Sequence, residues 1–313
     1  MGLAFDFKIL PRETMQWEEF CRNTPPRSIA LDGAVLGGPN YDEATLHVNF
    51  DHHDNVVREA TMSTAKQVYF AIKGGIMKAF GSGICSIYIN DTDQDTAFAA
   101  WLLTNHKQFE GAASNPLINR LLDLDDKWDI TGGAFPLDLS DRLVRQHNWV
   151  FEPYTNLRKS GRLATADADI LRSNLSEVCS RLTQYQMGYG GEKELDTRHE
   201  ILFDSPTFKI VDEIGGSESR YHLFSNGMDA FISIVARRPD GRFVYTVGRR
   251  SRYIPFPVKE LYAAFNEAEG MTGEKGWNGS DIIGGSHREL GSGLSWEQLR
   301  DITLLRKFTF SEL

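Results

Sequence analysis

Seven acidic or imidazole side chains lie in two short stretches, and each stretch follows a strand-like run. The first is DHHD at 51–54, which follows ATLHVNF, and the second is DTDQD at 91–95, which follows ICSIYIN. Carboxylates bind hard divalent cations, and a set of ligands that combines carboxylates with imidazole suits Mn²⁺. If the fold brings the two stretches together, the pattern predicts metal-ion chemistry.

The elements around these stretches alternate between strand and helix. Ser63 or Thr64 can cap a helix that Gly74 and Gly75 stop. A parallel α/β sheet is therefore predicted, with its ligands at the carboxyl ends of the strands. Both acidic stretches would lie at such ends. The predicted strands are SIALDGAVL (28–36), TLHVNF (45–50) and ICSIYIN (84–90), and the second helix is TAFAAWLLTNH (96–106).

The second half of the chain differs in composition and in its predicted elements. After helices within 114–150 and a long amphipathic helix at 165–186, the polar, glycine-rich MGYGGEKE (187–194) reads as a linker. A hairpin, a helix and a glycine-rich segment follow. We predict two domains, a parallel-sheet α/β domain at 1–186 and a smaller α+β domain at 187–313. The later segments are AFISIVAR with RFVYTVGRRS, PVKELYAAFNEAE (257–269) and DIIGGSHRELGSG (281–293).

Each chemical pattern has an ordinary alternative. Neighbouring residues of a strand point to opposite faces, so 51–53 converge only if the strand ends and the chain bends there. DTDQD can be a solvated loop or a helix N-cap, and it lacks the glycine and glutamate of a calcium loop. The basic run 249–252 can be a solvent-facing strand end. His47 and the aspartates of DLDDKWD (123–129) are assigned to the surface or to a supporting role.

Three segments together resemble one family. Asp51-His52-His53 followed by EATMSTAKQVYFAIK is similar to the third motif of the DHH phosphoesterase superfamily. DIIGGSHRELGSG resembles the glycine-rich element of that family's C-terminal DHHA1 domain, and YTVGRRS resembles its strand that ends in an Arg-Ser step. The motifs occur in the family's order and cover most of the chain.

The resemblance implies a DHH-like domain with a Mn²⁺ or Mg²⁺ centre and a DHHA1-like domain that grips the substrate. In LDGAVLGG, Asp32 corresponds to a metal-bridging carboxylate, and His52 to a metal ligand. His53 would face the substrate phosphate, and Asp51 would orient the histidines, which places both in the catalytic machinery. Asp91 corresponds to the fourth motif and would be a further metal ligand. The phosphate- or nucleotide-contacting positions would be Arg249, Arg250, Gly284, Gly285 and His287.

One family feature is missing. The first motif, a histidine with D-x-D carboxylates, should precede Asp32, yet FDFKILPRETMQWEEFCRNTPPR contains no such element. Asp93 and Asp95 can replace it, since strand, D-x-D and helix is the same local arrangement. Otherwise the site is degenerate and binds a ligand without turning it over.

The composition disfavours several classes of function and location. Lys and Arg number 34 against 43 Asp and Glu, a net charge of -9, which disfavours long duplex nucleic acid. Three scattered cysteines, no secretory signal and no membrane-length apolar run favour the cytoplasm. We expect a metal-dependent phosphoesterase for a small phosphorylated or nucleotide ligand. A catalytically inert sensor, or a single-strand exonuclease with a basic and aromatic track, is the alternative, and a homodimer is compatible with the sequence.

Overall fold

The structure, a computed structural model, describes residues 2–271 and 275–306 and divides into two compact units. The first unit comprises Met1–Ile130 and Ser140–Glu194, and the second comprises Thr131–Leu139 and Leu195–Leu313. The glycine-rich segment 187–194 belongs to the first unit, where Glu192 forms ion pairs with two arginines of a long helix. No helix in the described part of the chain is both long and apolar enough to cross a membrane.

The first unit is a helix-covered, mainly parallel sheet. Its five-stranded sheet has the order β1-β7-β3-β6-β5, in which the first four strands are parallel neighbours and β5 is antiparallel at the edge. The predicted parallel α/β sheet is confirmed. In chain order the elements are β1 (Leu3–Ile9), β2 (Met15–Gln16), α1 (Trp17–Asn23), β3 (Ser28–Leu31), β4 (Val35–Leu36), β5 (Asn40–Asp42), β6 (His47–Phe50), α2 (Thr64–Gly74), α3 (Ile76–Phe80), β7 (Gly83–Ile89), α4 (Gln94–Thr104), α5 (Pro116–Ile130), α6 (Arg142–Lys159) and α7 (Ala168–Gln186).

The predicted strand at 28–36 was wrong in its extent. The strand ends at Leu31, because Asp32 and Gly33 adopt left-handed backbone angles, with φ of 50° and 79°. Aspartate and glycine tolerate this region better than other residues. The Asp32 N–H then donates to the carbonyl of Phe50 at 2.9 Å. The turn therefore places the Asp32 carboxylate at the end of β3, next to the end of β6.

The second unit is a mixed sheet with helices. Its sheet has the order β12-β13-β11-β10-β9-β8, in which only β9 and β10 pair in parallel. The predicted hairpin is formed by β10 and β11, and the helix predicted at 257–269 is α9. The elements are β8 (Glu200–Asp204), β9 (Lys209–Asp212), α8 (Ser217–Ser225), β10 (Ala230–Arg237), β11 (Phe243–Arg249), α9 (Val258–Glu269), β12 (Asn278–Gly279), β13 (Ile283–Gly285) and α10 (Trp296–Leu304).

Candidate metal site

Three neighbouring parallel strands deliver acidic or imidazole side chains to one edge of the first sheet. Strand β3 lies between β7 and β6, and Asp32 follows β3 directly. The stretch 51–53 follows β6, and the stretch 91–95 follows β7. In open α/β sheets, this carboxyl edge is where ligands bind.

Asp32 is at the centre of the cluster and is buried. Its Oδ1 accepts the Thr64 hydroxyl at 3.0 Å, and its Oδ2 accepts the Thr96 hydroxyl at 3.3 Å. Oδ1 also lies 3.4 Å from His52 Nε2 and 3.4 Å from His53 Nδ1. Burial alone would raise the pKa of Asp32, but the two imidazoles and the Thr64 hydroxyl hold that pKa well below its usual range. Asp32 is therefore held in its anionic form, which is the form that can bind a cation.

His52 is fully buried, and its Nε2 lies among three carboxylates. The distances from Nε2 are 2.8 Å to Asp129 Oδ2, 3.4 Å to Asp32 Oδ1 and 3.8 Å to Asp95 Oδ2. Despite these short distances, neither ring nitrogen makes a hydrogen bond to any described residue. Burial opposes the charged form, but Asp129 and Asp32 raise the pKa of His52 to about 11 when no cation is present. Three carboxylates thus surround one imidazole nitrogen, an arrangement in which a cation could be a shared partner.

Asp95 joins the site to the start of α2. Its Oδ2 accepts the Thr64 N–H at 2.5 Å, and its Oδ1 accepts the Ala65 N–H at 2.7 Å. Ser63 caps the same helix, as predicted, and Gly75 ends it with φ of 96°. Burial and the charges of Asp129 and Asp32 raise the pKa of the Asp95 carboxyl well above its ordinary value. Each oxygen of a carboxylate retains a second lone pair, so Asp95 can anchor the helix and still face a cation.

The residue that the sequence analysis missed is Asp129, in the last turn of α5. Among the described residues, the ligand atoms of His52, Asp95 and Asp129 lie within 4.8 Å of one another, and so do those of Asp32, His52 and His53. A sequence signal existed. In DLDDKWD, Asp125 and Asp129 are four residues apart and share one face of a helix.

Asp51 and His53 form a pair at the edge of the cluster. Asp51 is buried, and its Oδ1 accepts the His53 N–H at 3.2 Å and lies 2.9 Å from His53 Nδ1. The imidazole of His53 is 42% exposed, in contrast to that of His52. Asp51 therefore orients His53 and leaves its Nε2 available to a ligand.

Asp91 and Asp93 lie at the same edge but have other contacts. Asp91 accepts the Tyr154 hydroxyl at 2.9 Å and the Thr92 N–H at 2.7 Å. Asp93 caps α4 by accepting the Thr96 N–H at 3.0 Å. Burial, with neighbouring carboxylates, raises the pKa of both side chains. Neither belongs to the close ligand groups found among the described residues.

In the second unit, the predicted phosphate contacts already have protein partners. The Arg249 guanidinium donates to the carbonyls of Asp281 at 2.9 Å and Ile254 at 3.0 Å. Arg250 lies 2.5 Å from a carboxylate oxygen of Asp229. Both arginines thus hold loops next to β11.

The glycine-rich segment has a packing role. A Cβ on Gly284 would overlap the Tyr262 hydroxyl and the Asn278 carbonyl, and one on Gly285 would overlap the Tyr245 carbonyl. Glycine is therefore needed for β13 to pair closely. His287 forms a local turn, in which its Nδ1 accepts the N–H groups of residues 289 and 290 at 3.2 and 3.1 Å.

A third group, Cys21, Asp42 and His47, also brings ligand atoms together. Both nitrogens of His47 are occupied, however, at 2.9 Å from the Thr24 hydroxyl and 2.7 Å from the Thr45 hydroxyl. His47 therefore supports the local fold, unlike His52.

No family model, curated protein or solved structure matches this chain.

Proposed function

We propose that the first unit binds a divalent cation, Mn²⁺ or Mg²⁺, and hydrolyses a small phosphorylated or nucleotide substrate in the manner of DHH phosphoesterases. The observation that carries the proposal is the environment of His52. Its Nε2 is buried within 2.8 to 3.8 Å of three carboxylates, without a hydrogen bond to a described residue. A cation among these groups would give the nitrogen and the carboxylates a common partner.

The buried carboxylates of the cluster also support a cation at the site, because their negative charge needs compensation. Asp32, Asp51 and Asp95 are all buried, and burying carboxylates without compensation is costly. Lys66, on α2, is already bound to Asp123 and Asp126 at 2.8 and 2.9 Å. The ligand types, oxygen with one or two imidazoles, suit Mn²⁺ better than zinc, which favours thiolate and imidazole.

The site residues divide the chemical work. When bound, a divalent cation supplies positive charge and lowers the pKa of its bound water towards neutrality. Asp32, His52, Asp95 and Asp129 would hold it. Asp51 accepts from Nδ1 of His53 and so orients the half-exposed imidazole, whose Nε2, in the doubly protonated ring, would donate to a phosphate oxygen. That contact would strengthen as negative charge develops on the phosphate.

The contacts of the arginines favour a second candidate, a nucleotide- or phosphate-binding sensor. Arg249 and Arg250 are held by protein carbonyls and carboxylates, which leaves fewer donors for a transition state. In this case the cation site would bind a ligand without turnover.

An activity panel separates the two candidates. Purified protein with Mn²⁺ is given linear dinucleotides, cyclic dinucleotides and a nitrophenyl phosphodiester. The enzyme proposal expects Mn²⁺-dependent release of product from at least one of them, and loss of that activity in His53→Ala. Nucleotide binding without turnover would establish the sensor instead, and turnover that survives loss of both His52 and His53 would place the chemistry elsewhere.

A further inference from the structure

A second buried carboxylate–imidazole pair lies one helical turn from Asp129. His147 on α6 places its Nε2 2.7 Å from Asp125 Oδ1 on α5, and each side chain is 1% exposed. The His147 ring packs against Trp128 and Phe151, with ring centroids 5.2 and 4.6 Å away. The pair is buried and joins the two helices.

The Asp125–His147 pair affects the position of Asp129 on α5. Residues four apart on a helix lie on the same face, so any rotation of α5 that displaces Asp125 also displaces Asp129. On the α2 side, Asp126 accepts the Ser63 N–H at 2.8 Å. Helix α5 is therefore tied to α2 by Asp123 and Asp126 and to α6 by Asp125.

We propose that Asp125 and His147 are positioning residues that hold Asp129 at the cation site. The inference rests on the proposed function, because it presumes that Asp129 faces a cation. Among the described residues, the Asp125–His147 contact is the polar contact that links this face of α5 to α6. Asp125 Oδ2 and His147 Nδ1 are both buried without a hydrogen bond to any residue that the structure describes. Mutation of a residue that orients a metal ligand commonly lowers metal affinity by about 10- to 100-fold.

Two isosteric substitutions test the proposal. The amide nitrogen of glutamine occupies the position of histidine Nε2, whereas that of asparagine occupies the position of Nδ1. His147→Gln therefore keeps a donor to Asp125, and His147→Asn removes it. We expect Mn²⁺ affinity within about threefold of wild type for His147→Gln and a loss of about tenfold or more for His147→Asn. The visible spectrum of bound Co²⁺ should change only in His147→Asn, provided that circular dichroism shows both variants folded.

The outcomes are distinguishable. If wild-type protein binds no Mn²⁺, the proposed function fails and this inference fails with it. If wild type binds Mn²⁺ but both variants match it in affinity and Co²⁺ spectrum, or both lose affinity equally, only the positioning role is overturned. If His147→Asn does not fold, Asp125→Asn replaces it. That variant keeps an acceptor for His147, so affinity within about threefold of wild type is expected, and a loss of about tenfold would overturn the proposal.

Discussion

At the scale of single residues, the direction of the His52 imidazole determines what the site can bind. Asp32 and His52 were predictable, because each follows a strand and the ends of neighbouring parallel strands meet. Asp129 was not predicted, because it lies on a helix whose approach to β6 depends on tertiary packing. DLDDKWD alone does not tell which of its aspartates turns inward.

Asp129→Asn should weaken Mn²⁺ binding, because it removes the negative charge closest to His52 Nε2. We expect a loss of at least about tenfold in affinity, or about 1.4 kcal/mol, by isothermal titration calorimetry. Asp123→Asn is the matched control, since Asp123 lies on the same helix and its half-exposed side chain pairs with Lys66. Equal affinities in the two variants would remove Asp129 from the site.

The stability of the metal-free protein should fall as pH rises. Asp129 and Asp32 overcome the effect of burial and raise the pKa of His52 from 6.5 to about 11, so the folded state holds this proton more tightly than the unfolded chain. The stabilisation is full below pH 6.5 and is lost as pH rises towards 11, and the raised pKa values of Asp93 and Asp95 act in the same direction. Thermal unfolding of the chelator-treated protein should show Tm decreasing between about pH 6.5 and pH 9, less steeply in His52→Gln. A rising Tm over this range would contradict the assigned pKa shifts.

At the scale of elements, helices α2 and α4 begin against the cluster. The sequence predicted a cap at Ser63 or Thr64 and a stop at Gly74 and Gly75, because both signals are local, and the structure has the cap at Ser63 and the stop at Gly75. It did not predict that Asp95 would accept two N–H groups at the start of α2, since that contact joins residues 30 and 31 positions apart. The early end of β3 at Asp32 was also missed, because left-handed backbone at an aspartate leaves no periodic signal.

Asp95→Asn should destabilise the first unit more than Asp93→Asn. The amide replaces one acceptor oxygen of Asp95 with a donor that faces a backbone N–H, which costs about 1–3 kcal/mol. At Asp93 the change is mild, because asparagine is also a good N-cap. Urea denaturation of the metal-free variants measures the difference. Equal midpoints would show that the contacts of Asp95 with Thr64 and Ala65 contribute little.

In the second unit, Gly284→Ala should destabilise strand β13. The added methyl group would overlap the Tyr262 hydroxyl and the Asn278 carbonyl, and overpacking of this kind costs about 1–3 kcal/mol. Gly293→Ala is the control from the same glycine-rich segment, because its Cβ would meet only Glu269 Oε1 at 3.7 Å. Thermal unfolding that is unchanged in Gly284→Ala would contradict the packing role and leave ligand contact as the reason for glycine.

At the scale of the whole molecule, the sequence predicted a parallel α/β unit followed by a smaller α+β one, and strand–helix alternation was sufficient for the parallel sheet of the first. The boundary between the two units was harder to predict from the sequence. Residues 187–194 look like a linker in composition, yet Lys193 and Glu192 pair with side chains of α6, and 131–139 group with the second unit. Such groupings depend on contacts between distant segments, which composition does not encode.

The central claim, that the cluster around His52 binds a divalent cation, is tested most directly by calorimetric titration of Mn²⁺ into chelator-treated wild-type protein and His52→Ala. The account predicts at least one ion bound by the wild type and an affinity lower by at least about tenfold in the variant, since the imidazole between Asp32, Asp95 and Asp129 is lost. Glu43→Ala, at an exposed position, serves as the control and should bind like the wild type. Identical Mn²⁺ binding by wild type and His52→Ala, or no binding by either, would contradict the account.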